Sequence, residues 1–522
     1  LFTDSKIAEY LLQVKYFLIT NNRLKLKALL AEVPHEGIRG EADPEISAVT
    51  YDSRQVTPGS LFVAVRGLRA DGHAYLDEAE AAGAAAALVE EYSPAELALA
   101  QVLVADSRRA MAQAAAVFYG HPGREIPVIG VTGTNGKTTV SFLLEAIFHA
   151  AGKKTALMTT VKNALGGEDR PARLTTGEAP EVQALLREAA DAGAAVAVVE
   201  VSSHALTLSR VAGMPFAAAV FTNLSHDHLD LHGDMDSYFA AKASLFEELA
   251  PASPAIINAD DPYGRKLAAR SSGRVVTYGV DAKDADYRAE GVSAGWSGST
   301  FTVAAPDGSA TAITSPLAGS FNVGNCLAAF AAARELGVPA EAAAKGLAET
   351  AAVPGRLEAV AVNDDLRVVI DYAHSPDSME KVLGEIRRLP EHRLVVVFGC
   401  TGDRDVEKRP TMGEIAGRYG DYVVVTTDDP YYEDPAAIAR GVEEGLRAAG
   451  AADEYTVILD RSEAVRHALA SARPGEPTVI ALLGKGHEDI QKVRGRNVPY
   501  NDRKTVERLA EELGLTDRGR VE

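Results

Sequence analysis

Seven consecutive residues, Gly133-Thr134-Asn135-Gly136-Lys137-Thr138-Thr139, have the types and order of a phosphate-binding loop. They follow an apolar run, Val128-Ile129-Gly130-Val131, that predicts a buried strand, and they open a helix predicted over Val140 to Ala150. Glycines let backbone N–H groups approach phosphate closely. The helix start adds partial positive charge, and Lys137 reaches the terminal phosphates. The Thr138 hydroxyl suits Mg²⁺. The spacing departs from GxxxxGK[ST], because Val131 stands where the first glycine would be and the nearer glycines are Gly130 and Gly133. An ordinary glycine-rich turn between strand and helix has no need of the lysine–threonine pair, so the chemistry expected here is that of ATP with Mg²⁺.

Other residues fit around this loop. Glu200 ends the apolar run Ala195 to Val199, where a carboxylate could ligate Mg²⁺. Asn322 and Asn325 lie three apart, on one face of a predicted helix start. They could contact a ligand or simply cap that helix.

The elements that must hold these groups fall into three regions. Residues 23–123 read as a small α/β domain: strand-like runs flank the turn Pro58-Gly59, an Ala-rich helix is predicted over Leu76 to Val89, and His121-Pro122-Gly123 forms a turn at its end. Residues 124–353 alternate strands and helices, as a mostly parallel sheet with crossover helices requires. Ala218 to Phe221 is another buried strand there, and the polar stretch Gly291 to Ser309 predicts edge hairpins. A boundary near Val353-Pro354-Gly355-Arg356 begins a doubly wound, Rossmann-like domain, 354–522, with strands at Val368–Ile370, Leu394–Phe398, Tyr422–Val425 and Thr478–Leu483. The fold class is therefore α/β in three domains. Residues 1–22, with Ile7, Leu11, Leu12, Phe17 and Leu18, read as an extension with amphipathic-helix spacing, without the cationic start and small-residue cleavage site of a signal peptide.

Bulk properties narrow the function. The chain has 522 residues, room for about three domains. Its net charge of -20 disfavours a nucleic-acid binder. Two cysteines, Cys326 and Cys400, fit a reducing, cytoplasmic setting rather than a disulfide scaffold. No apolar run is long enough for a membrane span.

The string Gly133 to Thr139 resembles the Mur ligases and their folylpolyglutamate synthase relatives. Glu200-Val201-Ser202-Ser203-His204-Ala205-Leu206, Asp371-Tyr372-Ala373-His374, Gly402-Asp403-Arg404-Asp405, Asp52-Ser53-Arg54 and Gly484-Lys485-Gly486-His487-Glu488 narrow the resemblance to the tripeptide-forming Mur ligases. It runs in order from residue 24 to about 515. It implies a UDP-binding domain, a central ATPase domain and a domain that receives the amino acid. The implied reaction phosphorylates the D-glutamate side-chain carboxylate of UDP-N-acetylmuramoyl-L-alanyl-D-glutamate with ATP, and a diamino acid then displaces phosphate. A second superfamily activity, such as folylpolyglutamate synthesis, fits less well, because that family lacks the Ser-Ser-His-Ala string. A non-catalytic ligase-fold protein is disfavoured by the intact Lys137, Glu200, His228 and Lys242.

By the same resemblance, His228 is a second metal ligand, and Lys242 carries a carbamate that ligates the metal. Asn258, Asn322, Asn325, Arg356, Asp371 and His374 surround the nucleotide. Ser53 and the neighbourhood of Gly67-Leu68-Arg69 contact UDP, and Thr175, Thr176, Ser202 and Arg210 contact the muramoyl peptide. Leu208 stands where the family often has glutamine. Arg404 is implied to hold a carboxylate of the incoming amino acid, while Asp428, Asp429, Gly484 and Glu488 form the surroundings of its amine. Diaminopimelate-specific members carry Asp-Asn-Pro-Arg where this chain has Asp428-Asp429-Pro430-Tyr431. The lost arginine leads us to expect L-lysine as substrate, with meso-diaminopimelate the alternative.

Overall fold

The computed structural model describes residues 22–40, 43–67, 70–165, 167–389, 392–451 and 454–516. The extension up to residue 21, and Leu68 and Arg69, lie outside these. Among the described residues the main sheets have five, eleven and six strands, and they follow one another along the chain.

The first sheet is ordered Gly37–Arg39, Ala100–Leu103, Ala86–Val89, Ser60–Val63, Ala48–Thr50, with only Gly37–Arg39 antiparallel. The helix expected over Leu76 to Val89 is corrected. Only Leu76–Ala81 is helical; the chain turns at Gly83 (φ +96°) and Ala86–Val89 is a fully buried strand. Alanine gives no periodicity by which helix and buried strand can be told apart. The turn at His121 leads into a short helix, Pro122–Glu125.

The central sheet explains where the phosphate loop sits. Strand Val128–Thr132 lies between Val196–Glu200 on one side and Phe216–Phe221 on the other, all parallel. Thr155–Met158 lies beyond Val196–Glu200, and Pro254–Asn258 beyond Phe216–Phe221. Chain order thus reverses direction at Val128–Thr132, the switch point at which open α/β sheets bind ligands beyond their strand ends. The strands are apolar on both faces because helices cover both. Lys137–Ala150 and Phe321–Glu335 close one core with Ile129, Val131 and Val198, and Ala179–Asp191 and Met235–Glu247 close the other with Val128, Ala197 and Val199. Antiparallel hairpins finish both edges, including Tyr287–Gly295, Gly298–Ala304 and Ala310–Ser315 where the polar stretch predicts them.

The last sheet is ordered Glu358–Ala361, Leu366–Asp371, Thr478–Leu483, Arg393–Phe398, Tyr422–Val425, Tyr455–Val457 and is parallel except at its first strand. A short hairpin, Ile490–Val493 with Arg496–Pro499, projects beside it.

Candidate active site

The loop leaves strand Val128–Thr132, and helix Lys137–Ala150 starts directly after it. Gly136 is the residue before the helix, at φ +84°, and a Cβ there would collide with Oδ1 of Asn325. Asn325 in turn donates to Asn322 Oδ1 (2.8 Å), and Asn322 donates to the Ala318 carbonyl (2.7 Å). The two asparagines therefore do share a helical face, and that face backs the loop. From the neighbouring strand end, Thr222 Oγ1 donates to the Asn135 carbonyl (2.6 Å), and Asn258 Nδ2 donates to the Thr222 carbonyl (2.7 Å).

Lys137 donates to the carbonyls of Gly133 (3.1 Å) and Thr134 (2.8 Å). Lys242, buried on helix Met235–Glu247, donates to the same Gly133 carbonyl (2.8 Å) and lies 4.7 Å from the Tyr238 ring centroid. Two lysine amines thus converge on one oxygen. Burial lowers the pKa of Lys137; burial first, and then the charge of Lys137, push Lys242 well below the ordinary lysine value.

Opposite them, Glu200 is buried at its strand end. It accepts from Thr138 Oγ1 (3.1 Å), from Thr160 N (3.0 Å) and from Thr160 Oγ1 (3.1 Å). The Thr138 hydroxyl also accepts from Arg356 Nη2 (3.1 Å). Hydroxyl and carboxylate form a hard-oxygen pair that fits Mg²⁺, which commonly takes one or two carboxylates and fills its remaining positions with water and phosphate. Among the described residues no three His, Cys, Asp or Glu side chains form a metal-type cluster. His228 adopts φ +53°, its ring 5.1 Å from that of His204. Burial above all lowers its pKa to about 4, so it is neutral near pH 7 with a lone pair available.

The C-terminal domain closes over the loop. Asp371 is buried, which raises its pKa, and accepts from the backbone N–H of Leu357 (2.6 Å) and Ala373 (2.8 Å), so it fixes the segment that carries Arg356. His374 Nδ1 pairs with the Tyr372 carbonyl (2.8 Å), and Lys408 donates to the His374 carbonyl (2.8 Å). One oxygen of Asp377 accepts from Asn135 Nδ2 (3.1 Å), Ser225 Oγ (2.7 Å) and Lys381 Nζ (2.9 Å).

The residues expected to contact the muramoyl peptide gather beside Glu200. Thr176 Oγ1 donates to the Glu200 carbonyl (2.7 Å), Ser202 N donates to Thr176 Oγ1 (3.1 Å), and Arg210 donates to the Thr176 carbonyl (3.0 Å) while pairing with Glu178. Thr175 accepts from Thr160 (3.0 Å). Leu208 ends the short helix Ser203–Thr207 that follows Ser202. Ser53 belongs to the first domain, where it donates to Glu78 (3.1 Å).

At the far end of the site, Asp428, Asp429 and Glu488 surround an amine that belongs to the chain itself. The fully buried Lys485 donates to Asp429 (2.8 Å) and to Glu488, and lies 3.9 Å from Asp428. Burial alone would lower its pKa, but Asp428, Glu488 and Asp429 together outweigh that and raise it. Burial lifts the Asp428 carboxyl to about 6. Gly484, at φ +107°, lets Asp428 close in, since a Cβ would stand 2.5 Å from Asp428 Oδ2. Arg404 is exposed, 5.9 Å from the Tyr431 ring centroid. Sequence reasoning missed Thr160, Asp377 and Lys485. Lys485 stood inside a string already singled out; the others carry no signal that a single sequence reveals.

A phosphate loop at a sheet switch point, backed by a strand-end carboxylate and capped by a third domain, defines an ATP-dependent ligase of acids and amino acids. Comparison with known proteins agrees. Residues 131–333 match the Mur ligase middle domain, 355–486 the Mur ligase glutamate ligase domain, and 45–119 the Mur ligase catalytic domain. The chain belongs to the Mur ligase family. It is 42% identical over 488 residues, 93% of this chain and 99% of the other, to a UDP-N-acetylmuramoyl-L-alanyl-D-glutamate--2,6-diaminopimelate ligase of Syntrophomonas wolfei. It is 43% identical to a UDP-N-acetylmuramyl-tripeptide synthetase of Roseiflexus, over 94% of this chain and 99% of that one. A solved UDP-N-acetylmuramoyl-L-alanyl-D-glutamate--2,6-diaminopimelate ligase superposes with a TM-score of 0.63 at 30% identity, covering 90% of this chain and 95% of its own. A Mycobacterium tuberculosis folylpolyglutamate synthase complexed with ADP shares the fold at 23% identity, with a TM-score of 0.57 over 72% of this chain and 91% of its own. Among the described residues no helix is long and apolar enough to cross a membrane.

Proposed function

We propose that this ligase joins meso-diaminopimelate to the D-glutamate side-chain carboxylate of UDP-N-acetylmuramoyl-L-alanyl-D-glutamate, in the cytoplasm, during peptidoglycan synthesis. The observation that carries the reading is the convergence of Lys137, Lys242, Thr138, Glu200 and Arg356 on one loop, with the acidic group around Lys485 in the domain that covers it. A carboxylate is a poor electrophile until one of its oxygens becomes a leaving group. Transfer of the γ-phosphoryl of ATP to the D-glutamate carboxylate supplies that, and the work of the protein is positioning and charge neutralisation. Lys137 leaves the loop carbonyls for the terminal phosphates. Arg356 adds a second cation from the third domain. Thr138 and Glu200 would hold Mg²⁺, which would supply further neutralisation of the phosphates. The amine of the diamino acid then attacks the acyl carbon, the C–N bond forms, and the C–O bond to phosphate breaks.

Lys242 belongs to this site as a carbamate. Its lowered pKa favours the neutral amine, the form that adds CO₂ and releases a proton, and the resulting anion could ligate metal together with His228. Asn258, Asn322, Asn325, Asp371 and His374 line the nucleotide side. Thr175, Thr176, Ser202 and Arg210 receive the muramoyl peptide, and Ser53 in the 23–123 domain contacts UDP.

The arginine lost at Tyr431 points to L-lysine; the ammonium of Lys492, 5.7 Å from the Tyr431 ring centroid, supports meso-diaminopimelate instead. Relatives named for 2,6-diaminopimelate support the same assignment. The test is a purified-enzyme assay offering meso-diaminopimelate, L-lysine and ornithine side by side. Higher kcat/KM for L-lysine would overturn the diaminopimelate assignment and leave the ligase class intact.

A further inference from the structure

Tyr431 sits where a diaminopimelate site would need a cation, and it is held there in an unusual way. Its φ is +48°, a left-handed conformation that costs a bulky side chain energy. Two backbone hydrogen bonds keep it in place: Tyr431 N donates to the Lys492 carbonyl (3.0 Å), and Arg494 N donates to the Tyr431 carbonyl (2.5 Å). Tyr431 and Val493 form a parallel bridge. The hairpin Ile490–Val493/Arg496–Pro499 is thereby clipped to the loop Asp428–Tyr431. Gln491 reinforces the clip by donating to the carbonyls of Asp428 (3.0 Å) and Thr427 (3.2 Å), and Lys492 N donates to Asp429 Oδ1 (3.0 Å).

This arrangement brings two cations to one ring. The Arg404 guanidinium lies 5.9 Å from its centroid and the Lys492 ammonium 5.7 Å. Among the described residues neither makes an ion pair with a carboxylate, although Asp428, Asp429 and Glu488 are close by in the chain's fold. Those three carboxylates are instead drawn together around Lys485. Three carboxylates are thus gathered on Lys485, while the Tyr431 ring has two cations near it that form no ion pair among the described residues. L-lysine offers one carboxylate to such a site; meso-diaminopimelate offers two.

We propose that Lys492 is the specificity-determining residue that binds the second, distal carboxylate of the diamino acid and so replaces the arginine that Tyr431 displaced. The proposal rests on the reading of this chain as a ligase for a diamino acid. Arg404 holds the carboxylate common to both substrates, and Lys492, half-buried on the clipped hairpin, meets the one that only meso-diaminopimelate has. A lysine on a hairpin can do the work of an arginine in the loop because the backbone clip fixes where its stem begins.

The test compares wild type, Lys492→Met and Lys492→Arg with meso-diaminopimelate and with L-lysine at saturating ATP and muramoyl dipeptide. Methionine keeps most of the apolar stem against the ring, and thermal melts establish that the hairpin and fold persist. With Lys492→Met, KM for meso-diaminopimelate should rise on the order of 10- to 100-fold, the loss expected for a charge-assisted hydrogen bond. Its kcat should change little, any L-lysine turnover should be retained, and Lys492→Arg should restore most of the affinity. A wild type that uses meso-diaminopimelate, together with a Lys492→Met variant of unchanged KM, overturns the role of Lys492 and leaves the proposed function standing. Equal losses on both substrates also overturn it, by showing a structural role. A wild type that prefers L-lysine overturns both.

Discussion

At the scale of single residues, the site brings buried cations and carboxylates together around one loop. Lys137 and Lys242 share one carbonyl oxygen in a buried setting. Replacing Lys137 by alanine should leave the fold intact and lower ligation by ~10²-fold or more, the usual worth of one such group in a charged transition state. Near-normal turnover at saturating ATP would remove it from the mechanism. Lys242→Ala should lose most activity, and short carboxylic acids at high concentration should restore part of it. Native mass spectrometry should find wild type heavier by one carboxylate at Lys242, with activity that falls when CO₂ is stripped from the buffer. Asp428, raised to about 6, gives a pH signature. As pH falls through 6 it takes up a proton and loses the charge that attracts an amine, so KM for the diamino acid should rise below that point while KM for ATP stays flat. The same raised value means that the proton stabilises the fold, a contribution complete below the unfolded aspartate value and lost as pH rises through about 6.

Elements decide how much of this was readable beforehand. Strand Val128–Thr132, its loop and the following helix were legible because apolar run, glycines, lysine and helix periodicity occur in one short stretch. Glu200 was legible because a charge ends an otherwise apolar strand. Over Leu76 to Val89 the sequence misleads, since alanine fits a helix and a buried strand equally, and only tertiary burial selects the strand at Ala86–Val89. At Tyr431 the sequence shows the lost arginine but not the ammonium of Lys492 nearby. Lys492 lies 61 positions away by the residue numbers, and its place depends on a hairpin clip that no local pattern encodes. The loop's own geometry makes a further prediction. Gly136→Ala puts a Cβ against Asn325 in a left-handed backbone conformation. It should cost about 1–3 kcal/mol of stability in denaturant titrations and weaken ATP binding. An unchanged midpoint would mean that Asn325 does not pack against the loop as described.

For the molecule as a whole, the third domain is seated on the second. Arg356 reaches Thr138, and Asp377 gathers Asn135 and Ser225 from across the interface. Asp377→Ala should therefore loosen that seating, leaving secondary structure unchanged but raising KM for ATP and broadening the domain arrangement seen by small-angle X-ray scattering. The account's central claim is that nucleotide, muramoyl dipeptide and diamino acid meet at this one interface. Phosphate release from ATP by the purified protein tests it most directly. Release should require UDP-N-acetylmuramoyl-L-alanyl-D-glutamate and meso-diaminopimelate together, with a tripeptide product of matching mass. Phosphate release that is indifferent to the muramoyl dipeptide, or none with any diamino acid, would contradict it.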